Sequence, residues 1–345
     1  MSDAPVIEVR GLTKHFRLPE GNKVVKACQD VSFSIEPGRT LGLVGESGSG
    51  KTTVGRCLVR LIEIDAGDVR FRGEAVGGLT RRRFRPYRRQ IQIVFQEPYE
   101  SLNPLRSVAM TLEEPLKALT DLSAPDRRRR VHETIEEVGL PDTALSLRPG
   151  ELSAGDQQRV AIGRALISRP SFVVLDEPTS ALPPDARPEI LDLLKSLQAE
   201  FGLAYLFISH DLSSVQALCD DVAVMYLGQI VERGSKDAVL RSPRHPYSRA
   251  LLSSVLLPDP ERGRLIDEWQ VRLAGEIPSP IDLPTGCYLA SRCPYRAEAC
   301  EQPQALVAVE GDSRHEARCW RAETGAWTQP TESVGARGAR VDDAA

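Results

Sequence analysis

Residues 45–52 read Gly45-Glu46-Ser47-Gly48-Ser49-Gly50-Lys51-Thr52, the glycine-rich pattern G-x-x-x-x-G-K-[ST]. Glycines let main-chain N–H groups curl around phosphate oxygens, and a helix starting just after them adds its partial positive charge. A lysine at this position reaches the β- and γ-phosphates, and the hydroxyl that follows it binds Mg²⁺. The flanks suit that chemistry. Thr40-Leu41-Gly42-Leu43-Val44 is a short apolar run suited to a buried strand, and Thr53 to Leu61 can wind as a helix. Strand, glycine-rich turn and helix together are the context the pattern needs, and the chain is expected to bind a nucleoside triphosphate.

A second cluster of chemistry-bearing residues follows another apolar run. Phe172-Val173-Val174-Leu175 leads into Asp176-Glu177. A carboxylate at such a strand end holds Mg²⁺, usually through water, and its neighbour polarises an attacking water.

The elements that must position these groups alternate. Val6-Ile7-Glu8-Val9, Val31 to Ile35, Val69-Arg70-Phe71, Ile91 to Phe95 and Ala204 to Ile208 read as strands, and Val222 to Tyr226 with Gln229 to Glu232 read as a hairpin around Leu227-Gly228. Ser107 to Arg169 is mostly helical; Ser123 and Pro125 open a helix whose Val131, Ile135 and Val138 share one face. Glu189 to Ala199 is amphipathic, with Ile190, Leu193, Leu194 and Leu197 inward. This order predicts an α/β fold with a mixed sheet and an inserted helical subdomain. Proline density then rises after Ser242, marking a distinct C-terminal extension, and the polar stretch from about Gln329 is expected to be disordered.

Composition sets limits. The chain has 345 residues, 41% hydrophobic and 27% charged, a balance with ample core. A net charge of −4 gives no global field for nucleic acid, and no apolar run approaches a membrane span. The polar start Met1-Ser2-Asp3-Ala4-Pro5 lacks an export signal, so a cytosolic setting is expected, in which the seven cysteines are free or metal-bound. The basic run from Arg81 to Arg89 reads as a solvated face, with a phosphate or lipid-headgroup contact as the alternative.

Leu152-Ser153-Ala154-Gly155-Asp156-Gln157-Gln158-Arg159 resembles the LSGGQ-type signature of ABC ATPases. With Gln96, Glu177-Pro178-Thr179-Ser180-Ala181-Leu182 and Ile208-Ser209-His210-Asp211, the order of motifs matches that superfamily through residues 6–235. Phe95 to Pro104, Tyr205 to Leu212 and His245-Pro246-Tyr247-Ser248-Arg249-Ala250-Leu251-Leu252 further resemble the ATPases of oligopeptide/dipeptide permeases, and this likeness extends to about residue 320.

The resemblance implies a P-loop ABC ATPase domain over residues 1–240, with its helical subdomain at about 97–165. It also implies a small cysteine-containing extension over 241–327 and a tail over 328–345. ATP would be held by Phe16, stacking on adenine, and by Gly45, Ser47, Gly48, Ser49, Gly50, Lys51, Thr52 and Thr53. Mg²⁺ would be held by Thr52, Gln96 and Asp176. Catalysis would rest on Glu177, on Gln96 sensing the γ-phosphate, and on His210 steadying the water. In such ATPases two domains sandwich two nucleotides, so Ser153, Ala154, Gly155 and Asp156 would complete the site of a partner subunit.

Here the sequence departs from the family. Ala154 replaces a glycine, Asp156 replaces a glutamine, and Pro183 stands where the family has an aspartate. The methyl hinders close approach of backbone to phosphate. A carboxylate facing phosphate costs roughly 2–3 kcal/mol per unit charge at an effective dielectric of about 20. Drift with retained activity is one account; the other is pairing with a different ATPase subunit, so that only the partner's intact signature completes a competent site.

Cys287, Cys293, Cys300 and Cys319 are spaced C-x5-C-x6-C-x18-C, without paired C-x2-C zinc spacing. The resemblance implies a [4Fe–4S] cluster there, beside Arg292 and Arg296; zinc, with His315 joining, and unliganded thiols stay open. Cys28, Cys57 and Cys219 read as small core residues.

As a whole, the resemblance implies an ATP-hydrolysing subunit of a di- or oligopeptide importer, peripheral on the cytoplasmic side of the cell membrane. Its partners would be a second ATPase, two integral membrane permeases and an extracellular or periplasmic binding protein, with no nucleic acid. A groove near Gln96 to Pro104 would receive a short helix from a permease. Importers of nickel chelates or other small solutes belong to the same family. Non-transport ABC ATPases acting on DNA or ribosomes form the rival class, but the segment between Thr52 and Leu152 is too short for the long coiled coil of the first, and the sequence shows one ATPase domain where the second carry two.

Overall fold

The computed structural model describes residues 4–19, 23–253 and 271–324. Pro258, Pro260 and the tail from Gln329 lie outside the described residues.

Among the described residues, twelve strands form two sheets. The smaller is antiparallel, in the order β2 (Val24–Ile35), β1 (Ile7–Arg17), β4 (Ala66–Phe71), β5 (Glu74–Ala75). The larger runs β11 (Val307–Val309), β12 (Asp312–Ala317), β10 (Gln229–Ser235), β9 (Asp221–Tyr226), β3 (Thr40–Val44), β8 (Ala204–Ser209), β7 (Phe172–Asp176), β6 (Ile91–Val94). From β9 to β6 every pair is parallel, while β10, β12 and β11 add antiparallel. The expected mixed sheet is present.

β3, β7 and β8 are buried along their whole length, which explains why they read as unbroken apolar runs. One core fills the space between the two sheets around the helix Lys51–Leu58, and includes Ile7, Val31, Leu43, Val54, Leu58, Val174 and Ile208. The other lies on the opposite face, where the helical block packs. Ser107 caps the helix Val108–Leu119 and Ser123 caps Ala124–Glu137, each by accepting a backbone N–H three residues on. Val131, Ile135 and Val138 are all buried, as their shared face requires. In the helix Ala186–Phe201, Ile190, Leu194 and Leu197 point inward, but Leu191 is buried and Leu193 only half-buried. The buried stripe is therefore turned slightly from the one periodicity predicts.

β1 and β2 are much longer than the short strands read from their apolar runs. Their outer halves include polar pairs such as His15 with Lys26, which alternation of hydrophobicity does not reveal. Among the described residues no helix is long and apolar enough to cross a membrane.

Candidate functional site

Four neighbouring parallel strands, β3, β8, β7 and β6, end at the same edge of the sheet. Past those ends lie, in the same order, the loop from Gly45, then His210, Glu177 and Gln96. Open α/β sheets gather ligands at the carboxyl ends of their strands, and the topology places there the groups expected to act on this chain's own nucleotide phosphates.

The loop is built tightly against its surroundings. Gly45 has φ +153°, and a Cβ there would stand 2.2 Å from the Met225 carbonyl oxygen; Gly50 has φ +105°, and its Cβ would meet the Ala27 carbonyl at 2.2 Å. No other residue fits either position without moving backbone. Lys51 leads the helix Lys51–Leu58, and its Nζ donates to the carbonyls of Gly45 and Glu46 at 2.8 Å each and to Ser49 Oγ at 3.3 Å. Burial holds the Lys51 ammonium below its ordinary range, opposed by the charges of Glu177, Asp176 and Glu46.

Thr52 Oγ1 donates to Asp176 Oδ1 at 3.0 Å, bringing together the hydroxyl and carboxylate expected to share a cation. Burial raises the Asp176 pKa, an effect that the Thr52 hydrogen bond and the charges of Arg56 and Lys51 oppose. A divalent cation would reverse that rise by favouring the ionised form.

Glu177 is the centre of the arrangement. Its Oε2 accepts from Gln96 Nε2 at 3.3 Å and lies 3.2 Å from His210 Nδ1. Three residues far apart in sequence thus meet at one carboxylate oxygen. Glu177 also has φ +48°, a left-handed backbone that costs an L-residue roughly 1–2 kcal/mol. Its N–H donates to the Ile208 carbonyl at 2.9 Å, fixing the turn that swings the side chain from β7 toward β8.

Phe16 is exposed on β1, with Lys14 Nζ 5.4 Å from its ring centre. It pairs with Val25, two residues before the Ala27 carbonyl that abuts Gly50.

The signature residues stand apart, at the start of the helix Ala154–Leu166. Ser153 is its cap: Ser153 Oγ accepts from Asp156 N at 3.1 Å and donates to Asp156 Oδ2 at 2.8 Å. The Asp156 carboxylate, expected to face a partner's phosphate, here accepts from the hydroxyl of the capping Ser153 three residues before it. Ala154 is exposed and nothing but Ser153 Oγ lies within 4 Å of a Cβ built on Gly155.

A pocket of about 490 Å³ lies beside Gln96, lined among others by Arg56, Phe95, Glu100, Pro115 and Arg164. Its lining includes Gln96, Glu97, Glu100 and Ser101, within the stretch Gln96 to Pro104 where a groove is expected.

Cys287, Cys293, Cys300 and Cys319 all lie in the extension as free thiols. Burial first, and then the neighbouring cysteines of the set, push Cys293 up to about 12 and Cys319 up to about 11. Among the described residues, however, no three His, Cys, Asp or Glu side chains are grouped to hold a metal ion. His315 is not with them: its Nε2 lies 2.7 Å from the buried Glu232. Cys28, Cys57 and Cys219 are buried, as core residues should be.

Sequence reasoning missed two contacts. Tyr247 Oη accepts the backbone N–H of Glu46 at 3.0 Å, joining the extension to the phosphate loop. His245 Nδ1 accepts the Tyr247 N–H at 3.1 Å. His245-Pro246-Tyr247 carries the family likeness, but nothing in its residue types points to the loop two hundred positions earlier.

The ABC transporter family model matches residues 28–180, and the model for the C-terminal region of oligopeptide/dipeptide transporters matches residues 231–300. A probable peptide ABC transporter ATP-binding protein of Sinorhizobium fredii is 42% identical over 318 residues, covering 90% of this chain and 89% of that protein. The dipeptide transport ATP-binding protein DppF of Escherichia coli is 42% identical over 306 residues, covering 87% of this chain and 90% of its own. Among solved structures, a dimeric ATP-binding cassette in a post-hydrolysis state with ADP and Pi aligns with a TM-score of 0.61 at 28% identity, over 67% of this chain and 98% of that one. The cbiO1 subunit of Clostridium perfringens aligns with a TM-score of 0.63 at 25% identity, over 77% and 100%.

Proposed function

This chain belongs to the ABC transporter ATP-binding proteins of the oligopeptide/dipeptide type, and from that membership we propose that it hydrolyses ATP to drive peptide import. The single observation that supports the chemistry best is the Glu177 oxygen shared by Gln96 and His210, beside the Thr52–Asp176 pair. Gly45 to Thr53 cradle the phosphates, with Lys51 turning to the β- and γ-phosphates and Phe16 meeting the adenine. Thr52, Asp176 and Gln96 would hold Mg²⁺, which when bound would supply positive charge beside the phosphates. Glu177 orients the attacking water and His210 donates toward the γ-phosphate. Little covalent help is needed; rate comes from position and charge.

ATP binding closes two such subunits face to face, and the closure is passed to membrane permeases through the groove beside Gln96. Ser153, Ala154, Gly155 and Asp156 would meet the partner's nucleotide. With its hydroxyl committed to Asp156 and a methyl at Ala154, this face is a poor phosphate ligand. A partner ATPase of different sequence, bearing an intact signature, is therefore the fitting companion. The assembly would sit on the cytoplasmic side of the membrane, with a substrate-binding protein on the other.

For the four cysteines of the extension the reading is a [4Fe–4S] cluster. Four free thiols, one buried and three half-buried, suit a soft, positively charged guest that would favour their ionised form. They are not drawn together as a single ion requires, and a cluster of four irons spreads its ligands wider than one zinc does. Iron and acid-labile sulfide in anaerobically purified protein test this, and colourless protein with stoichiometric zinc would refute it.

Affinity purification of the tagged chain from membranes tests the assembly. A second ATPase, two permeases and a binding protein should co-purify. Recovery of a homodimer with no membrane protein would defeat the proposal.

A further inference from the structure

Tyr247 is fully buried, and packing alone would be served by phenylalanine. Its ring lies against Tyr226, with centroids 4.5 Å apart. Its hydroxyl, though, meets a main-chain donor of the phosphate loop, the Glu46 N–H, at 3.0 Å. The carbonyl of that same Glu46 is held by Lys51 Nζ at 2.8 Å. One residue of the loop is thus gripped from two sides, by a cation and by a phenol.

The two grips differ in kind. Lys51 must leave the carbonyls of Gly45 and Glu46 to reach phosphate, whereas Tyr247 has no such task. It is set by its own scaffold. Pro246 and Tyr247 begin the helix Pro246–Ser253, where the His245 ring accepts the Tyr247 N–H. The N–H groups of Arg244 and His245 are in turn accepted by the buried Glu232 of β10 at 2.6 and 2.8 Å. Other props reach the loop from the same side: the Met225 carbonyl backs Gly45, and the Gly228 N–H donates to the Ser49 carbonyl at 2.9 Å.

We infer that Tyr247 is a positioning residue for nucleotide binding, holding the first peptide of the phosphate loop in place while Lys51 moves from loop carbonyls to phosphate. The inference rests on the ATPase reading above. It assigns the segment after the ATPase core a direct part in nucleotide affinity, through one hydrogen bond.

Calorimetric titration of full-length protein with Mg-ATP tests it, using Tyr247→Phe and, as a control, Tyr205→Phe. Tyr205 is an equally buried tyrosine whose hydroxyl donates to the Leu194 carbonyl at 3.2 Å, away from the loop. Loss of one such bond to a buried backbone group should weaken Mg-ATP binding about fivefold in Tyr247→Phe. Tyr205→Phe should melt at a lower temperature than wild type yet bind Mg-ATP as wild type does. In the assembled transporter, Tyr247→Phe should raise KM for ATP and leave kcat at saturation nearly unchanged. Unaltered affinity in Tyr247→Phe, or equal weakening in both variants, would overturn the inference. Wild-type protein that bound no Mg-ATP would sink the ATPase reading together with it.

Discussion

The edge where β3, β8, β7 and β6 end and the start of the helix Ala154–Leu166 are both dense in polar side chains, but they spend them differently. At the strand edge the polar atoms are aimed at shared points. Gln96 and His210 converge on one oxygen of Glu177, and Thr52 meets Asp176. At the helix start they are closed on themselves, with Ser153 and Asp156 bonded reciprocally. The first arrangement holds a left-handed backbone at Glu177 that local energetics disfavour, and the second is what any stable helix prefers. Strain kept at one site and relieved at the other separates a face organised around chemistry from one organised around its own stability.

The sharpest way to break this contrast is at Glu177. Glu177→Gln should lower ATP turnover of the assembled transporter by about 10²-fold or more, the range expected for loss of a group that directs proton and water. Its melting temperature should stay near wild type. A matching loss on changing Asp156 would erase the distinction. Next in size is a methyl added to the loop. Gly50→Ala drives a Cβ to 2.2 Å from the Ala27 carbonyl, and should abolish measurable Mg-ATP binding in titration. Removing the methyl on the other face, by Ala154→Gly, should leave nucleotide binding by this chain unchanged.

A third test concerns the scaffold behind the loop. Burial, aided by the Arg318 charge, pushes His245 down to about 3 from its ordinary 6.5. The ring is neutral in the folded chain and takes up a proton on unfolding below pH 6.5. Its contribution is therefore complete above that pH and is lost as pH falls toward 3, at up to about 1.4 kcal/mol per pH unit. Denaturant melts between pH 7 and 5 should show a weaker pH dependence in His245→Asn than in wild type. The smallest effect is expected at Asp156→Ala. Turnover should change less than twofold, and stability should fall by about 0.5–1 kcal/mol through the weakened cap.

Much of this was legible in the residues. The apolar runs before Gly45 and Asp176 are buried strands because both faces of a parallel sheet are covered, and a strand so covered cannot hide its composition. The loop, with Glu177 and His210, follows from those strands, since chemistry at their ends needs fixed residue types. Other features left no such trace. The polar outer halves of β1 and β2 are held by pairing rather than by hydrophobic burial. The turning of Asp156 onto Ser153 depends on where the helix begins, which a signature pattern does not state. Tyr247 reached the loop through tertiary packing, and a buried tyrosine reads in sequence like any core aromatic.

One feature of the larger sheet bears on how the molecule comes into being. β12 pairs with β10, with Glu232 opposite Ala317, and β11 closes the edge beyond it. Strands that follow β10 by some seventy residues thus complete a sheet whose centre, β3, precedes them in the chain. Until they emerge from the ribosome, β10 presents an open edge to its neighbours in a crowded cell. A chain cut short before residue 312 should accordingly be prone to stick to copies of itself, whatever the state of its nucleotide loop.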